Sequence, residues 1–213
     1  MKKLKMIPNT EKGLLITFCG LDGCGKTTML NRLRTELECD NKVFVTKQPT
    51  NFVRNSSIFR TYMDCPDHDA YDYRSLSLLA ASDRVQHSNK IIKPELENGN
   101  IVLSDRYFYS CLAKLRARGF TNDEWIYEIS GSIVKPDIAF FLDVPVETAV
   151  NRVRSREEEK DRYIDMELQY ALRDEYINIC KTNNGILLSS AGDENECYDI
   201  VKQIVWRVIN NGN

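Results

Sequence analysis

Five short runs of the 213-residue chain are apolar at nearly every position instead of at alternate ones: 14–19, 43–46, 101–104, 138–142 and 186–188. A strand wet on one face alternates, and a strand covered on both faces does not. These runs therefore predict a parallel sheet enclosed between helices. Between them the apolar period lengthens to that of a helix. Met29, Leu30, Leu33 and Leu37 share a face over 26–37, Leu168, Ala171, Leu172 and Tyr176 over 165–181, and Ile200, Ile204, Val205 and Val208 over 194–209. A long helix is predicted over 75–97, stopped by Gly99, and another over 145–156 with Pro145 in its first turn. Strand and helix alternate along the chain without a repeat, a low-complexity tract or a Pro/Gly/Ser-rich linker. The expected fold is α/β, a single domain over 13–213 with a five-stranded parallel sheet flanked by helices on both faces. Residues 1–12 are expected to form a loosely attached extension.

Composition narrows the partners. Hydrophobic residues make up 42% of the chain, enough for a sizeable core. Lys and Arg number 29 against 31 Asp and Glu, and no basic tract stands out. Nucleic acid, which needs a positive face, is not an expected partner. No apolar stretch approaches the roughly 20 residues that cross a bilayer, so no membrane partner is expected. The opening MKKLKMIPNTEKG lacks the apolar core of a signal peptide. The seven cysteines are scattered without a CxxC pair, which is the usage of reduced thiols in a cytoplasmic protein.

Directly after the first apolar run comes GLDGCGKTT, residues 20–28. Gly20, Gly25, Lys26 and Thr27 fit G-x-x-x-x-G-K-[ST], and the stretch sits between a predicted strand and a predicted helix. A loop poor in side chains can curl so that its backbone N–H groups converge on a phosphate, and the helix N-terminus adds partial positive charge. The ATP-binding candidates are accordingly Gly20, Leu21, Asp22, Gly23, Cys24, Gly25, Lys26, Thr27 and Thr28. Lys26 reaches the β- and γ-phosphates, and Thr27 offers a hydroxyl to Mg²⁺. Asp22 is the odd member, because an anion inside a phosphate cradle repels the ligand. Either it faces away from the triphosphate toward a second substrate, or it bonds its own backbone in the turn.

Two further stretches carry charge suited to phosphate. IVLSDRYFYS places Asp105 and Arg106 at the end of a predicted strand, where ligands gather in open α/β sheets. Asp105 is a candidate Mg²⁺ ligand, direct or through water, and Arg106 can grip a phosphate with two donors. In NRVRSREEEKDRY, Arg152 and Arg156 are four apart on one helix face, Arg154 points roughly opposite, and Arg162 follows the acidic run. Like charges at that spacing cost a few tenths of a kcal/mol unless an anion answers them. The stretch reads as a solvated helix end with Arg154 and Glu158 paired, or as a lid around 152–163 whose arginines close over a transferring phosphate.

These motifs together resemble the thymidylate kinase family, P-loop enzymes that phosphorylate dTMP with ATP, in order and over nearly the whole chain. GLDGCGKTT looks like the family's phosphate loop, including the acidic residue, here Asp22, that contacts the substrate sugar. LLAASDRVQH is similar to the segment whose arginine, here Arg84, reads the thymine edge. SDRYFYS looks like its DR-[YH]-x-x-S motif, which places Arg106 and Ser110 in the substrate site, and Tyr163 matches a tyrosine near the sugar. Family members without an arginine in the phosphate loop supply one from the lid. Here Gly23 and Cys24 occupy the loop, which points to a lid arginine, Arg156 being the first candidate. The resemblance implies the P-loop kinase fold, ATP and Mg²⁺ as cofactors, a nucleoside monophosphate as substrate, and a homodimer packed through helices that include 75–97.

The chain also departs from the family. Ala80 stands where an aromatic ring usually stacks on thymine, and Lys114 and Leu115 stand where an aromatic residue and often Gln are usual. Lys47-Gln48-Pro49-Thr50-Asn51 replaces a REPGGT-like segment. Loss of a stacking ring removes on the order of 1–3 kcal/mol of base binding. Transfer of phosphate from ATP to dTMP is the expected reaction. A kinase for another deoxynucleotide or nucleoside, and a nucleotide-binding protein without activity, are the alternatives.

Overall fold

In the computed structural model, which describes residues 2–64, 70–161 and 163–211, the apolar runs become strands β1 (Leu14–Cys19), β2 (Val43–Lys47), β3 (Ile101–Asp105), β4 (Ile138–Asp143) and β5 (Ile186–Ser189). All pair in parallel in the spatial order β2-β3-β1-β4-β5, with Leu14 opposite Ile101 and Ile16 opposite Ile138. The central strands are buried on both faces, as continuous apolar runs require, whereas the edge strands β2 and β5 are partly exposed. Each of β2, β3, β4 and β5 runs one residue past its apolar stretch and ends on a polar side chain: Lys47, Asp105, Asp143 and Ser189. The carboxyl edge of the sheet is thereby lined with polar groups.

The chain leaves β1 for β2 in one direction and makes every later crossover in the other. Because such crossovers are right-handed, α1 (Lys26–Leu37) covers one face of the sheet, where α10 (Glu194–Asn211) packs beside it. The opposite face carries α4 (Tyr73–His87), α5 (Lys93–Glu97), α6 (Phe108–Arg116) and α9 (Met166–Thr182), with α6 packed between α4 and α9. Shorter helices α2 (Asn51–Arg54), α3 (Ser57–Asp64), α7 (Trp125–Ser130) and α8 (Val146–Arg154) sit on the connections.

Helix α6 follows from no clear amphipathic pattern, because Phe108 to Ala113 and Leu115 are all buried and only Lys114 and Arg116 are partly exposed. The long helix expected over 75–97 begins two residues earlier, at Tyr73, where the Asp72 carboxylate accepts the Arg74 N–H (2.8 Å). It is interrupted by a π turn at Ser88–Ile92, in which the Lys93 N–H reaches back five residues to the Ser88 carbonyl. Pro94 follows, and its ring would crowd the carbonyl four residues before it; the wider turn relieves that contact.

The leading segment is not loosely attached. Leu4 and Met6 are buried, the Leu4 N–H donates to Asn183 Oδ1 (2.9 Å), and Ile7 bridges to Val134 in parallel. Lys3, Leu4, Lys5 and Met6 alternate in the strand period, and the apolar members turn inward. The cysteines among the described residues are free thiols, and among these residues no helix is long and apolar enough to cross a membrane.

Candidate active site

Residues 20–25 join β1 to α1 and begin the site. Gly25 stands at the N-cap of α1 with φ +90°, so no side chain caps the helix and its first N–H groups are left for a ligand. A Cβ on Gly25 would meet nothing within 4 Å, which marks open space over the loop. Gly23, with φ +83°, is held for the opposite reason: a Cβ there would lie 2.1 Å from the Ala149 carbonyl of α8. The loop thus lies against α8 on one side and opens on the other. Lys26 is buried, and its ammonium folds back on the Leu21 carbonyl (2.5 Å), close to Cys24 Sγ (3.6 Å). Thr28 follows in the first turn of the helix.

Asp105 ends β3 beside that turn. Its Oδ2 accepts Thr27 Oγ1 (3.3 Å) and faces Lys47 Nζ (3.3 Å). Its Oδ1 is buried and has no partner among the described residues. A buried carboxylate oxygen without a donor, beside a threonine hydroxyl, is a place for a hard cation that takes most of its oxygens from water and phosphate. The residues present therefore fit Mg²⁺.

Arg106 follows in the left-handed region, φ +70°, at a cost of about 1–2 kcal/mol for a residue with a side chain. That turn aims the guanidinium under the phosphate loop. Nη1 donates to the Gly20 carbonyl (3.0 Å) and to the Tyr176 hydroxyl (2.9 Å), while Nη2 contacts Asp22 Oδ1 (2.5 Å). The Tyr176 hydroxyl in turn donates to Ser110 Oγ (3.0 Å). Burial alone would weaken the charge on Arg106, but Asp22, with Tyr176 and Asp105, raises its pKa well above the ordinary value. The carboxylate in the glycine loop thus turns away from the phosphate side and toward Arg106.

Beyond this pair opens a cleft of about 950 Å³, and Gly20, Leu21, Asp22 and Arg106 are part of its wall. Tyr163, largely exposed, lines it as well, with Tyr62, Tyr73, Lys114, Arg118 and Phe120. Ser110 stands one layer behind, supporting Tyr176. Arg84 is buried and does not line the cleft: its Nη1 donates to the Ala80 carbonyl (2.8 Å), and its Nε has no partner among the described residues. Leu115 is fully buried.

One residue escaped the reading of the chain. Arg54 closes α2, donates to the Pro49 carbonyl through Nε (2.7 Å), and is held below its ordinary pKa by burial and by the charges of Arg106 and Arg84. Arg54 thus lies within electrostatic reach of Arg106 and Arg84, and of Asp105 and Asp22, which oppose their effect. Thr50 brings α2 there, its N–H and hydroxyl both donating to the Asp83 carboxylate of α4. The only sequence signal was a capping threonine four residues before an arginine.

The arginines of the expected lid are dispersed. Helix α8 ends at Arg154, and Arg156 has extended backbone (φ −84°, ψ 127°), so Arg152 and Arg156 do not share a helix face as their spacing implied. Arg152 lies over the phosphate loop, with Nη1 3.5 Å from the Gly23 carbonyl and Nη2 donating to the Ser190 carbonyl (3.1 Å). Arg154 and Arg156 are exposed, and Arg162 lies outside the described residues. Lys160, not Arg154, pairs within the acidic run, to Glu157 (2.5 Å).

A lysine-bearing glycine loop on a 2-3-1-4-5 parallel sheet, with an aspartate ending β3, defines a P-loop nucleotide-binding phosphotransferase. The model of the thymidylate kinase family matches residues 18–204. A probable thymidylate kinase of Thermococcus kodakarensis is 38% identical over 174 residues, which are 79% of this chain and 84% of that protein. Another, of Thermococcus gammatolerans, is 33% identical over 202 residues, 92% and 96% of the two chains. A thymidylate kinase of Prochlorococcus marinus is 35% identical over 158 residues, 70% and 75%. The chain belongs to the thymidylate kinase family.

Proposed function

We propose that this protein transfers the γ-phosphate of ATP to the 5′-phosphate of dTMP. The observation that carries the reading is that residues 20–22 belong at once to the glycine loop and to the wall of the cleft, so that donor and acceptor meet across one short piece of backbone. Phosphoryl transfer asks for alignment and charge neutralisation more than covalent chemistry. The loop N–H groups and Lys26 hold the triphosphate, once Lys26 leaves the Leu21 carbonyl. Thr27 and Asp105 hold Mg²⁺, which neutralises phosphate charge. Arg106, helped by Arg54, draws the acceptor phosphate to the loop. Asp22 and Tyr163 position the sugar. Ser110 acts through Tyr176, and Arg84 approaches the base after its guanidinium leaves the Ala80 carbonyl. Arg156, with Arg152 nearer the loop, answers the charge of the transition state. Two copies pair through the α4–α5 face, a reading supported by exposed Leu78 and Ile91 there.

The test is ADP release coupled to dTMP, compared between wild type and Lys26→Ala. Loss of a fixed charge on the transferring group lowers turnover by roughly 10²-fold or more with the fold intact. Near-normal turnover in that variant would remove the phosphate-loop assignment.

A further inference from the structure

Ala80 has no ring to offer and is not part of the cleft wall, which carries aromatic side chains elsewhere. Tyr73 stands seven residues before Ala80, two turns along the same face of α4, and lines the cleft. Tyr62 of α3 stands beside it, with ring centroids 5.4 Å apart. Arg118, two residues past α6, lays its guanidinium against both. Its central carbon is 3.9 Å from the Tyr73 centroid and 5.1 Å from that of Tyr62. The Tyr73 ring is the nearer, at stacking distance from the guanidinium. Nη1 donates to the Lys114 carbonyl (3.0 Å) and Nη2 to the Tyr62 hydroxyl, which fixes the plane.

Among the described residues no carboxylate comes within ion-pair distance of Arg118. Burial brings its pKa down to about 10, with Asp165 opposing. A flat, partly desolvated cation, backed by rings and lining the same cleft as Asp22, Arg106 and Tyr163, is binding capacity directed at a ligand.

We infer that Arg118, backed by Tyr73 and Tyr62, is the platform on which the base of the acceptor nucleotide rests, in place of a ring at position 80. The inference rests on the reading of the cleft as the acceptor site. Guanidinium planes stack on nucleobases as aromatic rings do, and an ammonium cannot.

The experiment compares wild type, Arg118→Ala, Arg118→Lys and Tyr73→Leu with dTMP as acceptor and with 2-deoxyribose 5-phosphate, which has no base, as competitive inhibitor. Arg118→Ala raises the KM for dTMP roughly tenfold or more while kcat is essentially kept. Arg118→Lys does not restore it, Tyr73→Leu shifts it in the same direction, and inhibition by the base-free phosphate is unchanged in all of them. An unchanged KM for dTMP in both Arg118 variants overturns the inference alone. Equal weakening of dTMP and the base-free phosphate does so too, because it puts Arg118 on the phosphate or in the fold. Failure of the wild type to phosphorylate any nucleoside monophosphate overturns the reading of the cleft, and the inference with it.

Discussion

Asp22 and Arg106 lie 84 residues apart and meet at 2.5 Å beneath the phosphate loop. Their pairing keeps the Arg106 guanidinium charged, oriented and largely dehydrated; if it grips the acceptor phosphate as proposed, that lowers the cost of binding. Asp22→Asn keeps the shape and removes the charge that holds Arg106. It is expected to raise the KM for the acceptor while leaving that for ATP unchanged, since Lys26 and the loop N–H groups are untouched; steady-state kinetics with each substrate varied in turn would show it. Tyr176→Phe removes both the bond from Arg106 and the bond to Ser110. A loss of about 1–2 kcal/mol in urea unfolding is expected, with a rise in acceptor KM in the same direction as Asp22→Asn.

Among the elements, helix α4 does more than its pattern indicates. It ends on His87, whose Nε2 lies 2.8 Å from Thr46 Oγ1 and whose Nδ1 lies 3.0 Å from Gln48 Nε2. An amide nitrogen only donates, so this geometry assigns Nδ1 as acceptor and a neutral ring that donates to Thr46. Burial, reinforced by Arg84 and opposed by Asp83, lowers the His87 pKa below its ordinary 6.5. The unfolded chain therefore takes up the proton first as pH falls. The stability due to His87 is complete above about 6.5 and is lost as pH drops from there toward the lower folded value. Urea midpoints should fall between about pH 7.5 and about pH 5.5 in the wild type and fall less in His87→Gln; equal slopes would remove His87 from the account.

The lid is the other element with a measurable consequence. With glycine and cysteine at 23 and 24, the proposed function gives transition-state charge to a lid arginine, an effect worth on the order of 10³–10⁵ in rate for arginine fingers in other phosphoryl-transfer systems. Arg156→Ala is expected to lower kcat more than it raises the KM for ATP. Arg152→Ala, which loses its contacts to the Gly23 and Ser190 carbonyls, should disturb ATP binding first. Single-turnover and binding measurements on both variants separate the two effects.

At the scale of the whole molecule, the N-terminal segment joins distant parts of the chain. Leu4 and Met6 enter the core, Leu4 bonds Asn183 beyond α9, and Ile7 pairs with Val134 before β4. Removing the first seven residues takes the buried Leu4 and Met6 side chains out of the core and should cost roughly 3 kcal/mol or more, read as a lowered denaturant midpoint. The same scale decides assembly. If two copies pair through α4–α5, Leu78→Glu should turn a dimer into a monomer in sedimentation; a wild type that sediments as a monomer would end that reading.

Much of this was legible in the chain itself, because strands enclosed on both faces must be continuously apolar and a phosphate loop must be glycine-rich at fixed spacing. The five strands, the helix α1 behind the loop, and the place of Lys26 and Thr27 at its start follow from such local rules. Asp22 could be read as facing away from the triphosphate, because charge repulsion is local knowledge too. Its partner could not be read, since nothing short of the parallel register of β1 and β3 brings residue 106 to residue 22. Helix α6 was hidden because it has no clear polar face, and the leading strand-like segment because four residues of alternation are too few to stand out. Arg54 and Arg118 sit in stretches without a motif. Only tertiary packing gives these side chains a direction: the rings of α3 and α4 hold Arg118 in the cleft wall, and the bonds of Thr50 to Asp83 bring Arg54 to its place.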